Sequence, residues 1–136
     1  MISPTLTSLR LFLHVIAASV WVGGQIVLGG IVPQVRKTHP DALRGVAVAF
    51  SRIAWPAFGL AVVTGMWNLV AIDPTAHGNA YLVTLGMKLG LVGVAAIATL
   101  IHSASTSKLG LALGGAISLV ASLAVLYLGV LLTQAG

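Results

Sequence analysis

The sequence predicts an all-α integral membrane protein, a bundle of four helices, and three observations support this prediction. Of the 136 residues, 58% are hydrophobic, and the mean hydropathy is +1.07. Only 7% are charged, whereas a soluble domain has about 25% charged residues and can cover its surface with them. The apolar residues also fall into four stretches of roughly the 20 residues that a helix needs to cross a bilayer core.

The four predicted spans are continuously apolar, which excludes the alternating pattern of a transmembrane barrel. Residues that interrupt helices lie between them, including Pro33 after the first span and Asp73-Pro74 after the second. We therefore expect one membrane domain, residues 1–136, with lipid as its surroundings. The predicted spans are Leu9–Ile31, Val46–Ala71, Tyr81–His102 and Leu109–Leu132.

The distribution of basic residues predicts the orientation, because cytoplasmic loops retain Lys and Arg. The loop between the first two spans contains Arg36, Lys37 and Arg44, and the loop between the last two contains Lys108. The opposite side has Arg10 near the N-terminus. Both termini are therefore expected outside the cytoplasm, and the protein is expected in the cell membrane as a multi-pass protein.

Composition also excludes several functional classes. The net charge is +5, but the basic residues are sparse and form no stripe that could follow a nucleic acid backbone. Cysteine is absent, which excludes disulfides, iron–sulfur clusters, thiolate zinc sites and cysteine nucleophiles. No pattern resembles a nucleophile–base pair, a phosphate-binding loop or a carboxylate pair, so a role other than catalysis is favoured.

Polar side chains inside the spans are the candidate functional residues, because membranes make them costly. His14 lies about 8 Å and Lys88 about 10 Å below the outer end of its span. We expect both to meet at this shared level, in the outer half of the bundle. The neighbours expected there are Thr64, Met66, Trp67 and Asn68 of the second span, Met87 of the third and Tyr127 of the fourth.

A second polar level is predicted nearer the cytoplasm. His14, Trp21 and Gln25 share one stripe of the first span. Gln25 and Arg52 are expected at a similar inner depth, and His102 lies at the inner end of the third span. His14 and His102 differ in depth by roughly 20 Å, so they are not expected to bind one metal together within a single chain.

Alternatives remain open for each polar residue. No span contains an acidic residue, so Arg52 and Lys88 either extend to the headgroups or meet an anion, a cofactor carboxylate, a backbone carbonyl or water. His14 is a metal or haem ligand, a hydrogen-bonded structural histidine or a proton relay. Met66 and Met87 are soft ligands or packing residues.

Two small-residue spacings, Gly86-x3-Gly90 and Gly110-x3-Gly114, predict close approach of helices. We interpret them as helix packing inside one bundle. The alternative is packing between copies of the chain in a homo-oligomer, or against a larger membrane complex.

Three segments in order resemble a known family. They are His14-x6-Trp21-x-Gly23-Gly24, then Phe50-Ser51-Arg52-Ile53-Ala54 followed by Thr64-Gly65, and Tyr81-x6-Lys88-Leu89. They resemble the membrane domain of the copper-resistance protein D (CopD) family. The resemblance covers the first three spans and implies copper handling, meaning transport or homeostasis, in bacterial cytoplasmic membranes. It implies functional roles for His14, Arg52 and Lys88.

More distantly, the chain resembles the HemJ-type protoporphyrinogen oxidases, which share a His-x6-Trp pattern and a Lys in the third span. The Leu-Pro-Arg expected soon after the Trp is missing here. This resemblance implies haem b as an alternative cofactor. His14 would then be the axial ligand, with Lys88 or Arg52 pairing with the propionates, or with Lys88 itself as a ligand. Trp21 and Trp67 would pack against the ring.

Three functional hypotheses therefore remain. In the first, copper binds His14 with Met66 or Met87, since Cu(I) accepts imidazole and thioether ligands. In the second, haem b binds His14, in an electron carrier or a porphyrin oxidase. In the third, the protein is a non-enzymatic accessory subunit of a larger membrane complex.

Overall fold

A computed structural model of the chain describes residues 2–135 and shows four long α-helices. Single 3-10 turns, Pro40–Ala42 and Pro74–His77, lie within the first and second connections. Residues 2–135 contain no strand. Each helix is long and apolar enough to cross a membrane, which confirms the predicted all-α class and a multi-pass membrane protein. The helices are α1 (Leu6–Thr38), α2 (Leu43–Ile72), α3 (Asn79–Ala104) and α4 (Lys108–Gln134).

The helices extend beyond the predicted spans, and α1 does so most clearly. It continues through Pro33 to Thr38, although Pro33 was expected to follow its span. The 33 residues of α1 rise about 50 Å, compared with about 30 Å for the hydrocarbon core. Pro33 removes the N–H that would bind the Gly29 carbonyl, and a carbonyl near the polar boundary can bind water instead. The end of a span and the end of a helix are thus different positions.

Polar residues fix the helix starts. Thr5 and Ser8 form a capping box at the start of α1, in which each side chain accepts a hydrogen bond from the backbone N–H of the other. The Ser107 hydroxyl accepts from the Gly110 N–H at 3.0 Å at the start of α4. Gly78, just before α3, has a φ of 84°, a backbone conformation that favours glycine.

The chain divides into two compact units, Met1–Ile72 and Asp73–Gly136. In the first unit α1 packs against α2 as a helical hairpin. A Cβ at Gly24 would lie 2.7 Å from the Phe50 ring, so the backbone of α1 approaches that ring closely. The Trp21 ring contacts the rings of Trp55 and Phe58, with centroids 5.6 and 4.6 Å away. Successively later residues of α1 contact successively earlier residues of α2, so the two helices pack antiparallel.

In the second unit α3 packs against α4. A Cβ at Gly114 would lie 2.9 Å from the backbone nitrogen of His102 and 3.0 Å from the Ala98 carbonyl. The hydroxyls of Thr99 and Ser118 share a hydrogen bond of 2.6 Å between the two helices. Small residues on α4 thus bring the two backbones together, and a polar pair joins them.

The two glycine spacings, Gly110-x3-Gly114 and Gly86-x3-Gly90, differ in whether they bring α3 and α4 together. A Cβ at Gly114 would meet α3, as predicted, whereas a Cβ at Gly110 would meet Ser105 and Ser107 in the connection between the two helices. A Cβ at Gly86 or Gly90 would meet nothing within 4 Å, so this spacing does not serve the packing of α3 against α4. The face of α3 that meets α4 instead includes Ala98 and His102, and sequence spacing alone does not show which face that is.

Removing the hydrogen bond between Thr99 and Ser118 is expected to weaken the second hairpin modestly. Interhelical side-chain pairs in membranes contribute about 0.6 kcal/mol on average. A double-mutant cycle with Thr99→Val and Ser118→Ala, measured by unfolding in detergent, should give a coupling free energy of about that size. Additive effects of the two changes would contradict the assignment.

Candidate functional site

His14 is held by a hydrogen bond across the first hairpin. Its Nδ1 lies 2.9 Å from the Thr64 hydroxyl oxygen, and that oxygen lies 2.7 Å from the Leu60 carbonyl oxygen. A hydroxyl has one proton, which Thr64 donates to Leu60. The hydroxyl therefore accepts from the Nδ1–H of His14, and in the neutral imidazole the lone pair resides on Nε2.

Gly65 provides the space that the His14 ring occupies. A Cβ at Gly65 would lie 3.3 Å from Cε1 of His14, tighter than ordinary contact. Thr64 itself is buried. The consecutive pair Thr64-Gly65 thus has a physical role, because one residue orients the ring and the other leaves room for it.

The remaining candidate residues of α2 differ in how far their side chains are exposed. Met66 exposes 61% of its surface and Trp67 exposes 37%. Helical residues two apart point about 200° from each other, so Met66 faces away from the side on which Thr64 meets His14. Arg52 is exposed, and Asn68 is partly buried. The first hairpin therefore brings Thr64 to His14 and leaves Met66 on its outer surface.

On α1, the polar and aromatic candidates continue the same stripe toward the C-terminal end of the helix. Gln25 Nε2 donates to the Trp21 carbonyl at 3.3 Å. The Trp21 ring is buried and packs against Trp55 and Phe58. The Trp21 ring thus has aromatic partners supplied by its own hairpin.

Lys88 belongs to the second unit and extends along α4. Its Nζ lies 3.3 Å from the position of a Cβ on Gly129, so the ammonium lies over that glycine. Met87 and Tyr127 are exposed, at 56% and 64%. His14 lies in the first unit and Lys88 in the second, and their convergence stays a prediction.

His102 has a structural position within the second hairpin. Its Nδ1–H donates to the Leu111 carbonyl at 2.6 Å. A Cβ at Gly115 would lie 3.1 Å from the same Nδ1. His102 therefore joins the end of α3 to the start of α4.

Arg10 was treated in the sequence only as a marker of orientation, but the structure shows it buried at 7% exposure. It lies four residues before His14, hence on the same face of α1. Ala17 and Trp21 continue that buried stripe. The spacing of four residues between Arg10 and His14 indicates that both lie on one face of α1. It does not indicate that Arg10 is buried.

Within residues 2–135 no group of three or more His, Cys, Asp or Glu side chains is placed to hold a metal ion. No protein-family model, curated protein or solved structure matches the chain. Its function is thus proposed from its side chains together with the resemblance of its sequence to the CopD family.

Proposed function

We propose that the chain is a bacterial cell-membrane protein that handles copper, in transport or homeostasis, by binding the ion through Nε2 of His14. The observation that supports this is the hydrogen bond from Nδ1 of His14 to Thr64. Histidines that bind metals nearly always donate their second N–H to a nearby acceptor, which fixes the tautomer and the ring orientation. Copper is the metal that the CopD resemblance implies.

Copper accepts this type of ligand. Cu(I) binds imidazole and thioether groups, while Cu(II) binds imidazole nitrogen and oxygen. His14 supplies the imidazole from a partly buried position on α1. The exposed Met66 points about 200° around α2 from Thr64, away from His14, which makes a predominantly His14-based site the simpler arrangement.

Haem b is the second candidate. The exposed position of Met66 favours haem over copper, because a haem site does not need Met66 as a ligand. Haem iron can be held by a single protein imidazole, which is what the first hairpin offers. The surrounding helix surface is apolar, with exposed Val15 and Val63 close in sequence to His14 and Thr64, as a porphyrin face requires. In this alternative His14 is the axial ligand.

Purification in mild detergent, followed by metal analysis and an absorption spectrum, separates the candidates. The copper proposal predicts about one copper ion per chain without a Soret band, lost in His14→Ala. His39→Ala is the matched control, because His39 is exposed at the end of α1 and its loss should leave the copper bound.

Other outcomes contradict the copper proposal. A Soret band that disappears in His14→Ala supports haem b. Copper retained in His14→Ala excludes the site. Neither signal, with other membrane proteins co-purifying, supports the accessory subunit of a larger complex.

A further inference from the structure

The second hairpin has an apolar groove along one side, where α3 and α4 meet. Two adjacent cavities, of about 340 and 510 Å³, share Val94 and Ile117 in their linings and so form one continuous groove. The groove begins at Ser107, just before α4, and ends at Ala124, near the middle of that helix. The residues that line it all belong to the second unit.

The groove has a floor of small residues between walls of large ones. Ala98, Gly114 and Ala121 form the floor and are buried where the two helices meet. Ile97 and Val120 belong to the walls and are exposed at 60% and 66%. A hydrocarbon chain in the groove contacts protein on three sides, whereas on a plain helix it contacts one side. Dispersion contacts add up over all atom pairs, so the groove holds such a chain more firmly than the rest of the apolar surface does.

The length of the groove matches one leaflet of a bilayer. Its lining runs along α4 from Leu109 to Ala124, a rise of about 22 Å. Half of a bilayer with its headgroups is about 20–22 Å thick. The groove therefore extends from the headgroup level to the bilayer midplane, which is the reach of one lipid tail.

A positive charge marks the headgroup end of the groove. Lys108 is exposed and lies between Ser107 and Leu109, which both line the groove. Asp73, the acidic residue of the second unit, lies at the opposite end of the hairpin. Within residues 73–135, Lys108 thus has no acidic side chain beside it. An anionic lipid headgroup supplies a counter-charge at this level.

A second copy of the chain fits this groove less well than a lipid tail. Most homodimers have two-fold symmetry, which brings the same face of both copies together. Two grooves that face each other leave an empty space where close packing is needed. A flexible tail, in contrast, can fill the groove along its whole length.

We propose that this groove binds one tail of an anionic phospholipid, whose phosphate pairs with Lys108. The bound lipid contacts both α3 and α4 and so stabilises the second hairpin. The site consists of residues of the second unit alone and does not depend on metal binding at His14.

Native mass spectrometry of the detergent-purified chain, incubated with phosphatidylglycerol or phosphatidylcholine, tests the groove. Wild type should retain one lipid per chain and favour phosphatidylglycerol about fivefold, the contribution of one basic residue at a membrane surface. Ala116 is an exposed residue of the lining. Ala116→Leu should reduce retention of both lipids about tenfold, the equivalent of about two buried methylene groups. Lys108→Gln should abolish the preference for phosphatidylglycerol.

Each variant has a matched control. Ala112 is also exposed on α4 but lies outside the lining of the groove, so Ala112→Leu should retain lipid as wild type does. Lys37 is an exposed lysine at the end of α1, so Lys37→Gln should keep the preference for phosphatidylglycerol. Thermal unfolding without added lipid should show the same melting temperature for Ala116→Leu as for wild type, because residue 116 is exposed.

Several results would overturn the proposal. The first is a wild type that retains no phospholipid, or that retains the two phospholipids equally. The second is equal retention by wild type and Ala116→Leu. The third is a wild-type dimer that Ala116→Leu dissociates, because the groove would then be occupied by a second copy of the chain.

Discussion

Thr64→Val is expected to weaken metal binding at His14 by about 10- to 100-fold, the usual effect of removing such a supporting partner. Valine keeps the shape of threonine but cannot accept the Nδ1–H of His14. The ring then loses its fixed tautomer and orientation, and its Nδ1–H is left in an apolar setting. Copper titration of the purified protein, or haem occupancy under the alternative, measures the change.

Thr84→Val is the matched control for this substitution. The Thr84 hydroxyl donates to the Ala80 carbonyl of its own helix at 2.9 Å, as Thr64 does toward Leu60. It shares the helical bond but not the contact with His14. Equal losses of metal in the two variants would show that helix perturbation, not the orientation of His14, causes the effect.

Gly65→Ala probes the same ring from its other side. The added methyl would lie 3.3 Å from Cε1 of His14, so the ring must shift by a few tenths of an ångström. We expect a weaker effect than in Thr64→Val, because the hydrogen bond can adjust with the ring. A metal spectrum changed in shape, with stability near that of wild type, would match a shifted ligand; an unchanged spectrum would contradict the close contact.

The fold class followed from hydropathy because a membrane imposes one simple requirement. A span that is helical must be apolar over about 20 residues, and the sequence shows such stretches directly. The helix ends were less accessible. Pro33 interrupts backbone hydrogen bonding, yet α1 continues past it, as α2 continues past Pro56.

The sequence predicts how deep each candidate residue lies along its helix, but not the direction in which its side chain points. Counting residues placed His14 and Thr64 at one level, and they do share a hydrogen bond. The same count included Met66 and Tyr127, whose side chains are exposed. Depth comes from the rise per residue, whereas direction depends on which face meets the neighbouring helix, and continuously apolar spans give little sign of that face.

Arg10 illustrates a different limit. Its position near the start of α1 is typical of an arginine at the membrane interface. The sequence supports no other interpretation of this residue. Its burial and the unpaired Nε depend on the surrounding packing. Three-dimensional structure was thus needed to show that this marker of topology is also a buried residue.

Gly114→Ala is expected to destabilise the second hairpin by about 1–3 kcal/mol, the usual cost of overpacking. The new Cβ would lie 2.9 Å from the backbone nitrogen of His102 and 3.0 Å from the Ala98 carbonyl. Backbone atoms cannot rotate away as a side chain end can, so α3 and α4 must separate. Thermal unfolding in detergent should show the loss as a lower melting temperature.

Gly90→Ala provides the control for this change. A Cβ at Gly90 meets nothing within 4 Å, and alanine favours a helix over glycine by about 1 kcal/mol. Gly90→Ala should therefore be neutral or slightly stabilising in the isolated chain. Equal melting temperatures for Gly114→Ala and wild type would refute the close contact. If Gly90→Ala instead lowers the oligomeric state without changing the unfolding of the monomer, the Gly86-x3-Gly90 face packs between copies of the chain.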